Sequence, residues 1–72
     1  MQRLDGFEIT FEREADGRWI AEADGLPGAL AYGDSQQEAE LRVRELALRI
    51  LADRVAHQEA VPEFVEHLFR TS

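Results

Sequence analysis

Glu8, Glu12 and Glu14 fall on alternate positions of one extended stretch, so they share a side of the strand they would form, and Glu22 joins them from a second strand. Carboxylates that converge do acid–base work or hold Mg²⁺. Alternation alone also places charge on any solvated sheet face, and the spacing defines no convergent set. His57 and His67 are the only other candidate ligands, and they do not have the spacing of a helical metal pair. His57 is expected in the last turn of a helix, where a cation suits the dipole, and His67 beside Val65, Leu68 and Phe69 reads as an edge or interface residue. Ser35 has no His or Cys–His arrangement around it and reads as a helix cap. Gly25, Gly28 and Gly33 lack the spacing and the lysine of a phosphate loop, and read as turn glycines. With no cysteine there is neither a disulfide nor a thiolate metal site. The expectation is a protein that is not an enzyme, with no catalytic residue, no metal and no cofactor.

What remains is a surface. Ile20 falls on the same side of the pleat as Glu22, which gives an acidic rim around an apolar spot. Glu8, Glu12 and Glu22, with Trp19, Ile20 and Tyr32 as apolar anchors, are the residues expected to bind a basic protein partner.

The elements that position these residues are legible. Phe7, Ile9 and Phe11 alternate with Glu8, Thr10 and Glu12, which predicts a first strand over 6–14. Ala15-Asp16-Gly17 links it to a second strand over 18–23, with Gly17 at a position that wants positive φ. Leu26-Pro27-Gly28 turns the chain into a short third strand over 29–32, which Gly33 breaks. Ser35 and Glu38 form a capping box, and a helix follows to about Ala56 with neither Gly nor Pro inside it. After Pro62, Glu63 to Arg70 fits either a fourth strand or a short helix, and the strand is favoured. The expected fold is a single α+β domain over 1–72, a three- to four-stranded antiparallel sheet with one long helix packed on one face, in the order β-β-β-α-β.

That helix carries more apolar surface than a small sheet covers. Ala39, Val43, Leu46, Ala47 and Ile50 share the face expected against the sheet, while Leu41, Leu48, Ala52 and Val55 form a second stripe roughly opposite, bridged by Leu51. The polar arc of Arg42, Glu45, Arg49 and Asp53 is narrow. A chain of 72 residues removes only about 60% of its unfolded surface from water, so its core alone is marginal. The second stripe is therefore expected to build a dimer or tetramer.

Charge narrows the partners. The net charge is −7, every one of the eight basic residues is arginine, and residues 1–35 hold eight acids against Arg3, Arg13 and Arg18. Phosphate contacts need clustered basic side chains, so direct nucleic-acid binding is not expected. No apolar run approaches the roughly 18 residues of a membrane span, and the first six residues have no signal-peptide core. A cytoplasmic location away from membranes is expected.

Asp16-Gly17, Trp19, Ala21, Leu26-Pro27-Gly28, Gly33-Asp34-Ser35 and Glu38-Ala39 occur in the order and spacing of the HicB-like antitoxin family, which the chain resembles from Phe7 to Leu68. The resemblance implies a partial ribonuclease-H-like core of three antiparallel strands and a helix, often with a further strand. It also implies a binding module of a type II toxin–antitoxin system that covers a small basic mRNA-cleaving toxin of the HicA type. Full-length members of the family carry an added DNA-binding domain. With the sequence ending at Ser72, the expectation is the core without it. The alternatives are a stand-alone homo-oligomer holding some other ligand between protomers and a metal-dependent nuclease or hydrolase built on the same core.

Overall fold

A computed structural model describes residues 6–69 of the chain. Three strands, β1 (Ile9–Arg13), β2 (Trp19–Ala23) and β3 (Leu30–Gly33), form an antiparallel meander in the order β1-β2-β3. They are followed by the helix α1 (Gln36–Ala56) and a single helical turn, α2 (Glu63–Glu66). The three-stranded sheet with one long helix is the α+β arrangement the sequence predicts; β1 and β2 are shorter than expected, and β3 keeps its expected length but is displaced by one residue, so that it includes Gly33.

The β1–β2 hairpin closes through Glu14 and Arg18: the Glu14 N–H donates to Arg18 O at 2.7 Å and the Gly17 N–H to Glu14 O at 2.9 Å. Gly17 takes φ +94°, as expected. Asp16 fastens the tip, accepting from the Arg18 backbone N–H at 3.1 Å and from Arg18 Nε at 2.9 Å. The backbone donor is the main reason that the Asp16 carboxyl titrates below its usual 3.8, and the Arg18 side chain adds to it. Gly25 and Gly28 take φ near +90° in the next bend, and Leu26 between them is buried.

Gly33 has a different role from the one expected of it. Its φ is not left-handed, and a Cβ there would lie 2.9 Å from Ala39 Cα. The missing side chain therefore lets the first turn of α1 settle onto the end of β3. Ser35 starts the helix, with Oγ accepting from the Glu38 N–H at 3.1 Å, while Glu38 Oε1 reaches back to the Asp34 N–H at 2.6 Å. Glu38–Arg42, Glu40–Arg44 and Glu45–Arg49 are ion pairs one turn apart along the helix. Each is worth about 0.2–0.5 kcal/mol in this orientation.

The helix ends in a Schellman motif. The Gln58 N–H donates to Val55 O at 3.1 Å and the Glu59 N–H to Arg54 O at 2.7 Å, with Gln58 at φ +57° in the position glycine usually takes. His57 is the C-cap, its Nδ1 lying 2.8 Å from Asp53 O, in agreement with its expected place at the helix end.

The core lies between α1 and the sheet and is built of small side chains: Ala21, Ala23, Ala29, Ala39 and Ala47, with Leu26, Val43, Leu51 and Val65. Helix and sheet backbones approach closely as a result. α1 lies over β3 and β2 rather than over β1. Leu51, expected as a bridge, is in the core, and Leu46 and Ile50, expected there, are only half-buried, so the packed face of the helix is rotated toward Leu51.

The fourth strand expected over Phe64–Arg70 is not formed; Glu63–Glu66 is helical, and Arg70 lies outside the described residues. Phe64, Val65, Leu68 and Phe69 recur as neighbours four positions apart, a helical spacing and not an alternation. Pro62 opens the turn with φ −58°, the Val65 N–H donates to Pro62 O, and Phe64 packs edge-on against Phe7 with ring centroids 5.2 Å apart. Val65 thereby closes the core beneath the open side of α1. No helix of the described residues is long and apolar enough to cross a membrane.

Candidate functional site

The sheet has two unlike faces. Ile9, Phe11, Trp19, Ala21, Ala23 and Ala31 point toward α1, and the strand register places Thr10 beside Glu22, Glu12 beside Ile20, Ile20 beside Tyr32 and Glu22 beside Leu30 on the other face. No described element covers that outer face. Leu30 and Tyr32 are about 40% exposed on it, and the Arg18 guanidinium stacks 4.8 Å from the centre of the Tyr32 ring. Thr10, Phe11, Glu12, Ile20, Glu22 and Leu30 line a shallow depression there.

Of the residues expected to bind a partner, Glu12, Ile20, Glu22 and Tyr32 are brought together on this face. Glu8 continues the β1 side of it, its carbonyl accepting from the Asp24 N–H at 2.9 Å. Trp19 is not part of this group. It lies on the helix face, half-buried against the core, with the Arg13 guanidinium 5.7 Å above its ring. Strict alternation through Trp19-Ile20-Ala21-Glu22 places Trp19 opposite to Glu22, and Leu30 takes the apolar place that Trp19 was expected to fill.

The electrostatics of the two layers also differ. Three of the helix arginines are held by glutamates of the same helix, whereas Glu8, Glu12 and Glu22 form no ion pair among the described residues. Arg18 is held by Asp16 at the hairpin tip. Negative charge on the outer face is thus left for solvent or another molecule to balance.

The second surface is on α1. Leu41 and Leu48 are each 68% exposed and Val55 is 54% exposed; the three recur every seven residues, and exposed Ala52, one turn from Leu48, completes one stripe. The stripe continues onto the C-terminal segment, where Leu68 and Phe69 are more than 70% exposed. Between the stripe and β1 runs an open apolar groove, with Phe7, Ile9, Leu48, Leu51, Phe64 and Leu68 on its walls. It exists because α1 is seated over β2 and β3 and the short α2 covers only part of the gap. The sequence pattern identified the stripe but not the groove, which depends on where the helix sits.

His57 and His67 are separate, each exposed and beside an acid of its own helical turn. No cluster of three or more His, Asp or Glu arranged to hold a metal ion occurs among the described residues. Ser35 is occupied as a cap. No protein-family model matches the chain, and no curated protein or solved structure is matched by it.

Proposed function

We propose that the chain is a non-enzymatic protein-interaction module of the HicB-like antitoxin type. In this reading it assembles as a dimer or tetramer through Leu41, Leu48, Ala52 and Val55, and its acidic sheet face neutralises a small basic mRNA-cleaving toxin. The observation that carries the reading is the outer face, covered by no described element, where Ile20, Leu30 and Tyr32 are bordered by Glu12 and Glu22. Apolar anchors within a charged border give an interface both burial and steering. The order of Asp16-Gly17, Leu26-Pro27-Gly28, Gly33-Asp34-Ser35 and Glu38-Ala39 supports the family.

The test is co-expression with a short basic protein from the neighbouring reading frame. Retention of that protein on the purified chain, protection of growth from it, and loss of both on charge reversal at Glu8 and Glu12 are expected. Absence of a retained partner together with absence of growth protection refutes the antitoxin reading. Light scattering tests assembly separately, and a mass that stays at one protomer across concentrations refutes it.

A further inference from the structure

The two edges of the sheet are finished differently. At β3, Leu30 and Tyr32 turn their backbone groups outward, because Ala23 and Ala29 are hydrogen-bonded partners and the pattern alternates from there. That edge is partly closed from within: the Leu30 N–H donates to Gly28 O at 3.0 Å, and Arg42 Nη1 on α1 donates to Tyr32 O at 3.0 Å. At β1 the pairings of Glu14 with Arg18 and Asp24 with Glu8 fix the alternation, so Ile9, Phe11 and Arg13 face outward. Their N–H and C=O groups make no hydrogen bond with any described residue. Among the described residues, one edge is partly closed and the other is open.

We infer that the β1 edge is a strand-docking site for an extended segment of a basic partner in which apolar and basic residues alternate. A strand added beside Ile9–Arg13 would place every second side chain next to Ile9 and Phe11, where the apolar groove of Phe7, Leu51 and Phe64 receives it. The intervening side chains would lie beside Thr10 and Glu12, one strand away from Glu22, on the face whose acids form no ion pair among the described residues. Backbone pairing supplies register, the groove selects apolar residues, and the acids select Arg or Lys.

A second copy of β1 suits this edge less well. Two-fold antiparallel pairing centred on Thr10 sets Glu8 against Glu12, centring on Phe11 sets Glu8 against Glu14, centring on Glu12 sets that residue against itself, centring on Arg13 sets Glu12 against Glu14, and centring on Ile9 pairs only that residue of one β1 with the other. Like charges directly opposite destabilise a pair of strands. The inference rests on the interaction-module reading and specifies how the partner is gripped.

The probe is a blocked heptapeptide alternating valine and arginine, compared with a peptide of the same composition in which the valines and arginines are segregated. The alternating peptide is expected to bind the full chain at least about tenfold more tightly. It is also expected to slow hydrogen exchange at the amides of Ile9, Phe11 and Arg13 while leaving Tyr32 unchanged. Arg13→Pro removes an outward donor that the sheet does not use and should weaken binding about tenfold or more. The double variant Glu12→Lys, Glu22→Lys keeps the edge intact and should transfer the preference to an alternating valine–glutamate peptide, which decides the matter if Arg13→Pro fails to fold. Equal binding of the segregated peptide, or protection at Tyr32 in place of β1, overturns the inference. So does protection of Ile9, Phe11 and Arg13 that rises with protein concentration alone, which would assign the edge to a second copy. Failure to retain a toxin, with the alternating peptide still bound at β1, refutes only the antitoxin reading.

Discussion

Truncating Leu48 to alanine separates the assembly of the chain from its folding. The side chain is 68% exposed in the protomer, so its removal takes little from the core. Alanine also has the higher helix propensity, and the stability of an isolated protomer should stay within about 0.5 kcal/mol of the parent. In a two-fold assembly through the stripe, each protomer loses three carbons' worth of burial. At about 0.8 kcal/mol per buried carbon, and with only the exposed two-thirds of the side chain left to bury, the loss is about 1.6 kcal/mol per protomer. Over both protomers it is about 3 kcal/mol, or roughly two hundred-fold in the dissociation constant. Sedimentation equilibrium over a wide concentration range measures the constant, and urea unfolding at a concentration below it measures the protomer. A dissociation constant within about threefold of the parent for Leu48→Ala and likewise for Leu41→Ala refutes the assignment of the stripe. A fall of about 2 kcal/mol or more in protomer stability refutes the premise that Leu48 lies outside the core.

Other perturbations follow from particular contacts. Gly33→Ala forces a methyl against the backbone at Ala39 and should cost about 1–3 kcal/mol, read as a fall in Tm of about 4–8 °C for each kcal/mol. Gln58→Gly relieves a left-handed residue at the Schellman turn and should raise stability by about 0.5–1 kcal/mol; Gln58→Val should lower it, and thermal unfolding distinguishes the two. Asp16 has its folded pKa held below 3.8 chiefly by the Arg18 backbone N–H, so its contribution to stability is present above the unfolded value and is lost as pH falls through the folded one. Asp16→Asn should therefore flatten the acid limb of the stability profile below about pH 4 and leave its slope at neutral pH unchanged.

Local rules accounted for most of the frame. Alternation in Phe7–Glu12 gave β1 a wet and a dry side, Gly17 and Gly28 marked left-handed backbone, and Ser35 with Glu38 marked the helix start, because each of these signals acts within a few residues. The strand expected near Phe64 failed for a local reason as well: apolar residues paired at a four-residue interval fit one helical turn after Pro62 better than a pleat. Residue type alone suggests Trp19 as an anchor beside the acids, whereas the parity of the strand places it with the core. The groove was not legible, since it depends on the lateral seat of α1, and that seat depends on a methyl-sized vacancy at Gly33 and on alanines contributed by β2, the bend before β3 and α1. Which sheet edge is closed was equally hidden, because Arg42 reaches Tyr32 O across ten residues of sequence.

The alanine-built core also bears on how this protein responds to temperature. Unfolding it exposes little apolar surface for each residue released, and apolar hydration supplies the positive heat-capacity change of unfolding. The free-energy curve of an isolated subunit should accordingly be shallow and broad, with low denaturant sensitivity and an indistinct melting transition. A sharper calorimetric peak would then report the burial contributed by whatever chain is bound to it.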